Sequence, residues 1–426
     1  MAEVAALRGP RLGFYALGGF GTGVLTTVPA VLLLYFSTEV LAMPPALAAL
    51  TVLLPKLWAI VWDPFVGAWS DRTRSRIGRR RPFILAGAIG VPLCFLLLFA
   101  FPYPQGSAAF LPVTAFYLVM TSCYSVFAVP FVAIPAEASS DPAQRERITG
   151  WRIGFAMVGV FAGAAAGPAV AAAAGGGRHG YAVMAVAIAV LCGVAMASCF
   201  LATPSHFAAP AQAAAPRTPF RLSALFKGAG PFWRLTIIYL LQLVGVGALT
   251  ALTPYWIAHV ARLPEGETGT ALGAMFLVTI VTVPLWMAAI SRWGAGKALA
   301  SAAIFFAIVV VALAGRTALP MLAIFGLLGA PFAGIQIAAF ALVAHAIHAL
   351  PDEREGLFTG IWTAGEKTGL ALGAALSGLG LQLGGFVSAA PMQSAAAVEH
   401  LRWLIALGPM ALMALSLVLL GLGKRR

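Results

Sequence analysis

Residues 62–83 read WDPFVGAWSDRTRSRIGRRRPF. Asp63 sits inside an apolar run, Asp71 closes that run, and six arginines follow within positions 72–81. A long apolar run stopped by a dense cation cluster is the pattern of a membrane span held at the cytoplasmic face, where Lys and Arg accumulate. Asp63 is then a carboxylate within a span. Such groups are expensive there and are candidates for function by default.

Composition extends this reading to the whole chain. Of 426 residues, 61% are hydrophobic and only 10% are charged, and the mean hydropathy is +0.93. A soluble protein needs far more charge on its surface, so an integral membrane protein is expected. The net charge of +13 is explained by the positive-inside rule rather than by nucleic-acid binding. Cys94, Cys123, Cys192 and Cys199 all lie in apolar runs without metal-ligand or disulfide spacing, and read as small buried hydrophobes. The start, MAEVAALRGPRLGF, lacks the layout of a cleavable signal.

Apolar spans recur near 13–38, 46–69, 83–103, 111–135, 145–173, 180–202, 232–258, 268–290, 297–315, 320–347, 355–384 and 400–422. The expected fold is all-α: twelve transmembrane helices in two six-helix bundles, residues 1–202 and 232–426. A Pro- and Ala-rich cytoplasmic linker, 203–231, joins them. With the N-terminus inside, 20 Lys and Arg fall on the cytoplasmic side and four outside, Arg178, Arg262, Arg316 and Arg402. That asymmetry puts both termini in the cytoplasm of a multi-pass cell-membrane protein, an inner-membrane one in a bacterium. The three remaining cations, Lys56, Arg152 and Lys367, lie within spans.

An internal repeat supports two halves. Thr149-Gly150 and Thr359-Gly360 are 210 residues apart, and at the same offset Gly159, Gly163 and Gly167 match Gly369, Gly373 and Ser377. Each set is a small-residue ridge that lets helices approach closely in lipid. Both helices start after a proline-marked turn, Asp141-Pro142 and Pro351-Asp352, with Asp141 the expected N-cap of the first. Duplicated halves of this kind suit a transporter that rocks around a central site.

Charges within spans are the candidate site. Lys56 and Asp63 are seven residues apart, about two turns, and share a helix face. Arg152 lies on helix 5, and the adjacent Glu366 and Lys367 lie on its repeat partner, helix 11. These charges are expected to converge on the cavity between the halves, unless each is a snorkelling cation or a purely structural ion pair. Glu39 and Glu137 stand at span ends, solvated or forming gates. His345 and His348 end helix 10, where a helix C-terminus favours a cation. No phosphate-binding loop, HExxH or dinucleotide fingerprint occurs, so no enzyme activity, cofactor or metal is expected.

The stretch DPFVGAWSDRTRSRIGRRRPFI at 63–84 resembles the helix 2 signature of the glycoside–pentoside–hexuronide:cation symporters of the major facilitator superfamily. The run AEASSDPAQRERITGWR at 136–152 and the helix 11 lysine extend the resemblance. It implies alternating-access symport of a small organic solute with a cation. Asp63 then stands at the cation-site aspartate, Arg152 at a sugar-contacting arginine, Tyr124 and Thr363 in the cavity wall, Lys367 at the helix 11 lysine and Lys56 at a basic helix 2 position. Ala59, Ala128, Gly23 and Val132 occupy positions where the family has two further carboxylates, a sugar-binding aspartate and a stacking tryptophan. One remaining carboxylate makes a poor sodium cage, whereas a proton needs only one tuned group, so a proton is preferred over sodium.

The expected substrate contacts are Arg152, Tyr124, Gln336, Thr363 and Lys367, with Trp362 and Trp58 as stacking platforms. Asp63 is the expected protonation site, paired with Lys367 or Lys56, and Glu366 is a second coupling candidate. Asp71, Arg72, Glu137 and Arg145 form the expected cytoplasmic gate, and the arginines from 74 to 81 mostly anchor the loop at lipid headgroups. The expected partners are a solute, a coupling cation and the bilayer, with the protein a monomer. A lysolipid or other amphipathic cargo, an exporter, and a non-transporting membrane scaffold are the alternatives.

Overall fold

A computed structural model describes residues 7–205, 229–315, 320–348 and 355–422. They are helices joined by short turns and loops, with no strand among the described residues. Lipid offers the backbone no hydrogen-bond partner, so helices are the economical way for this apolar chain to satisfy its own amides. The helices are α1 (Pro10–Tyr35), α2 (Pro45–Arg72), α3 (Arg81–Ala100), α4 (Phe110–Ala138), α5 (Pro142–Ala173) and α6 (Gly177–Ala202). They continue with α7 (Gly230–Tyr255), α8 (Glu267–Trp293), α9 (Ala295–Val311), α10 (Met321–His348), α11 (Glu355–Leu383) and α12 (Ala395–Leu422). Ten helical spans are long and apolar enough to cross a bilayer, whereas α9 has only 17 residues. Asp141 caps α5 as expected, its carboxylate accepting from Ala143 N at 3.1 Å.

The chain divides into two compact units, one within Met1–Pro29 and Leu54–Thr218 and the other within Ala30–Leu53 and Pro219–Arg426. The division therefore differs from a cut at the midpoint alone, because the end of α1 and the start of α2 belong to the second unit. Both crossings fall beside prolines, Pro29 in α1 and Pro55 in α2, where a backbone hydrogen bond is missing. Most of the expected linker, 206–228, and the turn at Pro351-Asp352 lie outside the described residues. In the first unit α3 packs on α4 and α6, and α5 on α6. In the second, α7 packs on α11 and α12, α8 on α10, and α9 on α10 and α12.

The repeat is present, one turn away from the register expected from sequence. A Cβ on Gly23 of α1 would lie 2.2 Å from Ala156 O, and one on Gly159 of α5 2.2 Å from Phe20 O. In the second unit a Cβ on Gly247 of α7 would lie 2.3 Å from Leu370 O, and one on Gly373 of α11 2.2 Å from Val244 O. Gly159 is therefore equivalent to Gly373 rather than to Gly369. Gly163 against Val24 corresponds to Ser377, whose hydroxyl reaches Ala248 O at 3.4 Å. Glycines four residues apart make registers that differ by one turn look alike in sequence, and only the backbone contacts separate them. Both α1 and α7 run on into a π-helical turn, Phe36–Val40 and Trp256–Ala261.

Candidate functional site

In the first unit, α2 and α4 carry most of the candidates. Two tryptophans on successive turns of α2 are pinned to Ser122 of α4. Trp58 Nε1 donates to its hydroxyl at 2.9 Å and Trp62 Nε1 to its carbonyl at 3.2 Å. The two indoles stack at 5.6 Å, so one face of Trp58 is already covered. Lys56 places its ammonium 5.5 Å from the Tyr117 ring centroid instead of against Asp63, a cation–π arrangement that keeps a charge inside a span off lipid. Asp63 follows two turns later on α2, with its Oδ1 buried. Tyr124 lies on α4, half-buried.

Arg152 of α5 stands 5.9 Å from the Phe131 ring centroid, and its Nε is buried without a hydrogen-bond partner. A buried guanidinium N–H with no acceptor costs free energy until an acceptor arrives.

At the end of α2 the arginine cluster forms a clamp. Arg80, whose side chain is only 7% exposed, reaches Asp71 at 2.6 Å and Glu137 at 2.7 Å, and Arg79 reaches Glu137 at 2.6 Å. One guanidinium thus ties the end of α2, the start of α3 and the end of α4. Of the expected gate residues, Asp71 and Glu137 join this clamp. Arg72 makes no ion pair among the described residues, and Arg145 donates to Ser139 O at 2.6 Å instead of to Glu137. Sequence reading sends most of the arginines from 74 to 81 to lipid headgroups. Arg79 and Arg80, immediately before α3, instead turn to the carboxylates of Glu137 and Asp71.

The second unit holds a different set. Tyr239 of α7 donates its hydroxyl to Gln336 Oε1 of α10, and its oxygen is 3.3 Å from Glu366 Oε1 of α11. Trp362, one turn before Glu366, stacks on the Tyr239 ring at 4.5 Å with planes 3° apart, and Phe340 meets it edge-on at 6.0 Å. Trp362 is 2% exposed. It is packed into the wall of this cluster, and its Nε1 is buried without a partner. Thr363 and Lys367 are exposed, and the Thr363 hydroxyl donates to Thr359 O at 3.0 Å. Tyr239 was missed from sequence because a tyrosine in an apolar helix reads as core. Its equivalence to Tyr15 was the available signal, for each lies eight residues before its close-packed glycine, Gly247 or Gly23.

The same unit has a clasp where the π-helical turns lie. Glu39 Oε2 is 3.6 Å from His259 Nε2, both largely buried. The Thr38 and Tyr255 hydroxyls are 2.6 Å apart, and Tyr35 donates to Glu265 at 3.1 Å. Among the described residues no group of three or more His, Cys, Asp or Glu is placed to hold a metal.

Comparison with known proteins fits this architecture. Residues 14–422 match the family described as MFS/sugar transport protein. A putative glycoside/cation symporter, YagG of Escherichia coli, is 33% identical over 150 residues, covering 35% of this chain and 32% of that protein. The sodium-dependent lysophosphatidylcholine symporter 1-A of Danio rerio is 27% identical over 150 residues, 35% of this chain and 28% of its own. The matched stretch thus spans less than a third of either relative. A bacterial homologue of the iron transporter ferroportin shares the fold, with TM-score 0.66 and 14% identity over 97% of this chain and 98% of its own.

Proposed function

The chain belongs to the MFS/sugar transport family, and from that premise we propose that it is a secondary active transporter. It moves a sugar- or glycoside-like small organic solute together with a cation by alternating access. The observation that carries this reading is the buried, unpartnered Nε of Arg152 in a membrane helix. A donor left unsatisfied there is a binding group awaiting an acceptor, and an oxygen-rich solute supplies one. Tyr124, Thr363 and Lys367 add polar contacts, each within its own unit. Asp63 is the coupling carboxylate. With Ala59 and Ala128 nearby in place of acids, a proton suits it better than sodium, which needs several oxygens. Protonation changes the charge within the span, and a few kcal/mol suffice to reverse a two-state population.

A thermal-shift screen of sugars, glycosides and lysolipids at several pH values, with and without sodium, identifies the solute. Asp63→Asn is then expected to abolish gradient-driven accumulation in proteoliposomes while retaining counterflow exchange. Undiminished uphill uptake by that variant refutes the coupling role. A second reading, an amphipathic cargo such as a lysolipid, is favoured by Val132, 54% exposed where a stacking tryptophan would serve a sugar. Stabilisation by lysolipids and by no sugar or glycoside selects it.

A further inference from the structure

We propose that Glu366 is a proton-carrying site, in which Tyr239 and Gln336 form a reversible hydrogen-bond relay with its carboxyl. Its part in transport rests on the cation-coupled reading above, but it places a proton on a different helix and in a different unit from Asp63.

The repeat supplies the first argument. Arg152 lies four residues before Ala156, and Glu366 four before Leu370, the two residues whose carbonyls touch the equivalent glycines. Trp62 donates to Ser122 O just as Trp286 donates to Ala330 O at 2.7 Å, and six residues beyond those carbonyls stand Ala128 and Gln336. The first unit therefore holds Tyr15, Ala128 and Arg152 where the second holds Tyr239, Gln336 and Glu366. Tyr15 simply donates to Phe131 O at 2.8 Å. The same helix pair packs there with neither amide nor carboxyl, so packing alone requires neither Gln336 nor Glu366.

Counting protons gives the second argument. Three oxygens meet, Tyr239 Oη, Gln336 Oε1 and Glu366 Oε1, yet the tyrosine has one proton to share. With Glu366 protonated, its O–H donates to Tyr239 Oη, whose own proton goes to Gln336 Oε1. With Glu366 ionised, the Gln336 amide turns over, its NH2 donates to Tyr239 Oη, and Tyr239 donates to the carboxylate. Each state supplies one donor to each of the two contacts at Tyr239 Oη, and the proton enters from and returns to water. Loss of the proton thus reverses the direction of a chain across three helices, α7, α10 and α11. The stacked Trp362 shields one side of it.

Lys367, the next residue on α11, carries the opposite charge beside Glu366 in the chain. On α7, Arg234 is spent on Leu419 O and Leu420 O, and on α10 His345 Nδ1 contacts Ala341 O. On α12, Glu399 pairs with Arg402 at 3.2 Å near the helix start, where His400 contacts Gly380 O.

Infrared difference spectra between acid and alkaline buffer, taken on the full chain in liposomes, test this without a known solute. The wild type is expected to show a protonated-carboxyl C=O band that Glu366→Gln removes, Asp63→Asn retains and Tyr239→Phe shifts in frequency. Gln336→Leu keeps the carboxyl but breaks the relay, and is expected to move the band's titration midpoint by about one pH unit or more. A Glu366→Gln protein that elutes as the wild type does with an unchanged spectrum overturns the proposal. So does an unmoved midpoint in both Tyr239→Phe and Gln336→Leu. Absence of ion-gradient-driven uptake by the wild type across the solute screen would instead defeat the symport reading, while the band still decides Glu366.

Discussion

The α1–α5 pair of the first unit and the α7–α11 pair of the second are the same contact with different contents. In both, a glycine on each helix brings backbone to within 2.2–2.3 Å of where a Cβ would be. One turn from those contacts the chemistry diverges, to Arg152 over an aromatic ring in one and to Glu366 in a hydrogen-bond cluster in the other. Backbone approach leaves no volume for a side chain, so the glycines stay fixed while neighbouring positions are free to take opposite charges. The ends of the units differ as well. The first has the Arg80 clamp; in the second, the position equivalent to Glu137 is His345, whose Nδ1 contacts a carbonyl of its own helix.

The comparison breaks first, if it is wrong, at the glycines. Gly159→Leu and Gly373→Leu are each expected to cost about 3 kcal/mol or more, because a side chain must displace a backbone carbonyl. Yield of monodisperse protein and the denaturation midpoint in mixed micelles read this, and tolerance in one unit alone would disprove the equivalence. Next comes the clamp. Glu137→Gln leaves a buried guanidinium with Asp71 as its remaining ion-pair partner, and about 2–3 kcal/mol is expected to be lost. The equivalent His345→Gln is expected to change stability by less than about 0.5 kcal/mol, since His345 is exposed. Equal effects would mean that the second unit hides a clamp of its own. A smaller effect than at Glu137 is expected at Tyr15→Phe, about 1 kcal/mol for the lost bond to Phe131 O.

Much of this was legible in the chain itself. The helices followed from apolar runs, because lipid leaves the backbone no alternative to helix. The Asp141 cap, the repeat, and the membrane charges Lys56, Asp63, Arg152 and Glu366 followed from residue type and spacing. Three features did not. The repeat register is degenerate wherever small residues recur every turn, so Gly159 could be set against Gly369 or Gly373 with equal merit. Which arginine of six enters the clamp depends on where α3 begins, a boundary that sequence places only loosely. Tyr239 and Trp362 are aromatic residues in apolar helices, and whether such a ring is filler or donor depends on neighbours from α10 and α11 that no local pattern encodes.

The two π-helical turns have a consequence for the Glu39–His259 clasp. Each residue of an α-helix advances about 100° around the axis, and a π-helical turn fits one more residue into that circuit. Glu39 and His259 both lie inside such a turn. The azimuth of each side chain is therefore set by how many residues the turn contains and not by which they are. At this end of the molecule the chain keeps its aim by arithmetic: a conservative exchange spares it, and the loss of a single residue swings a partner away.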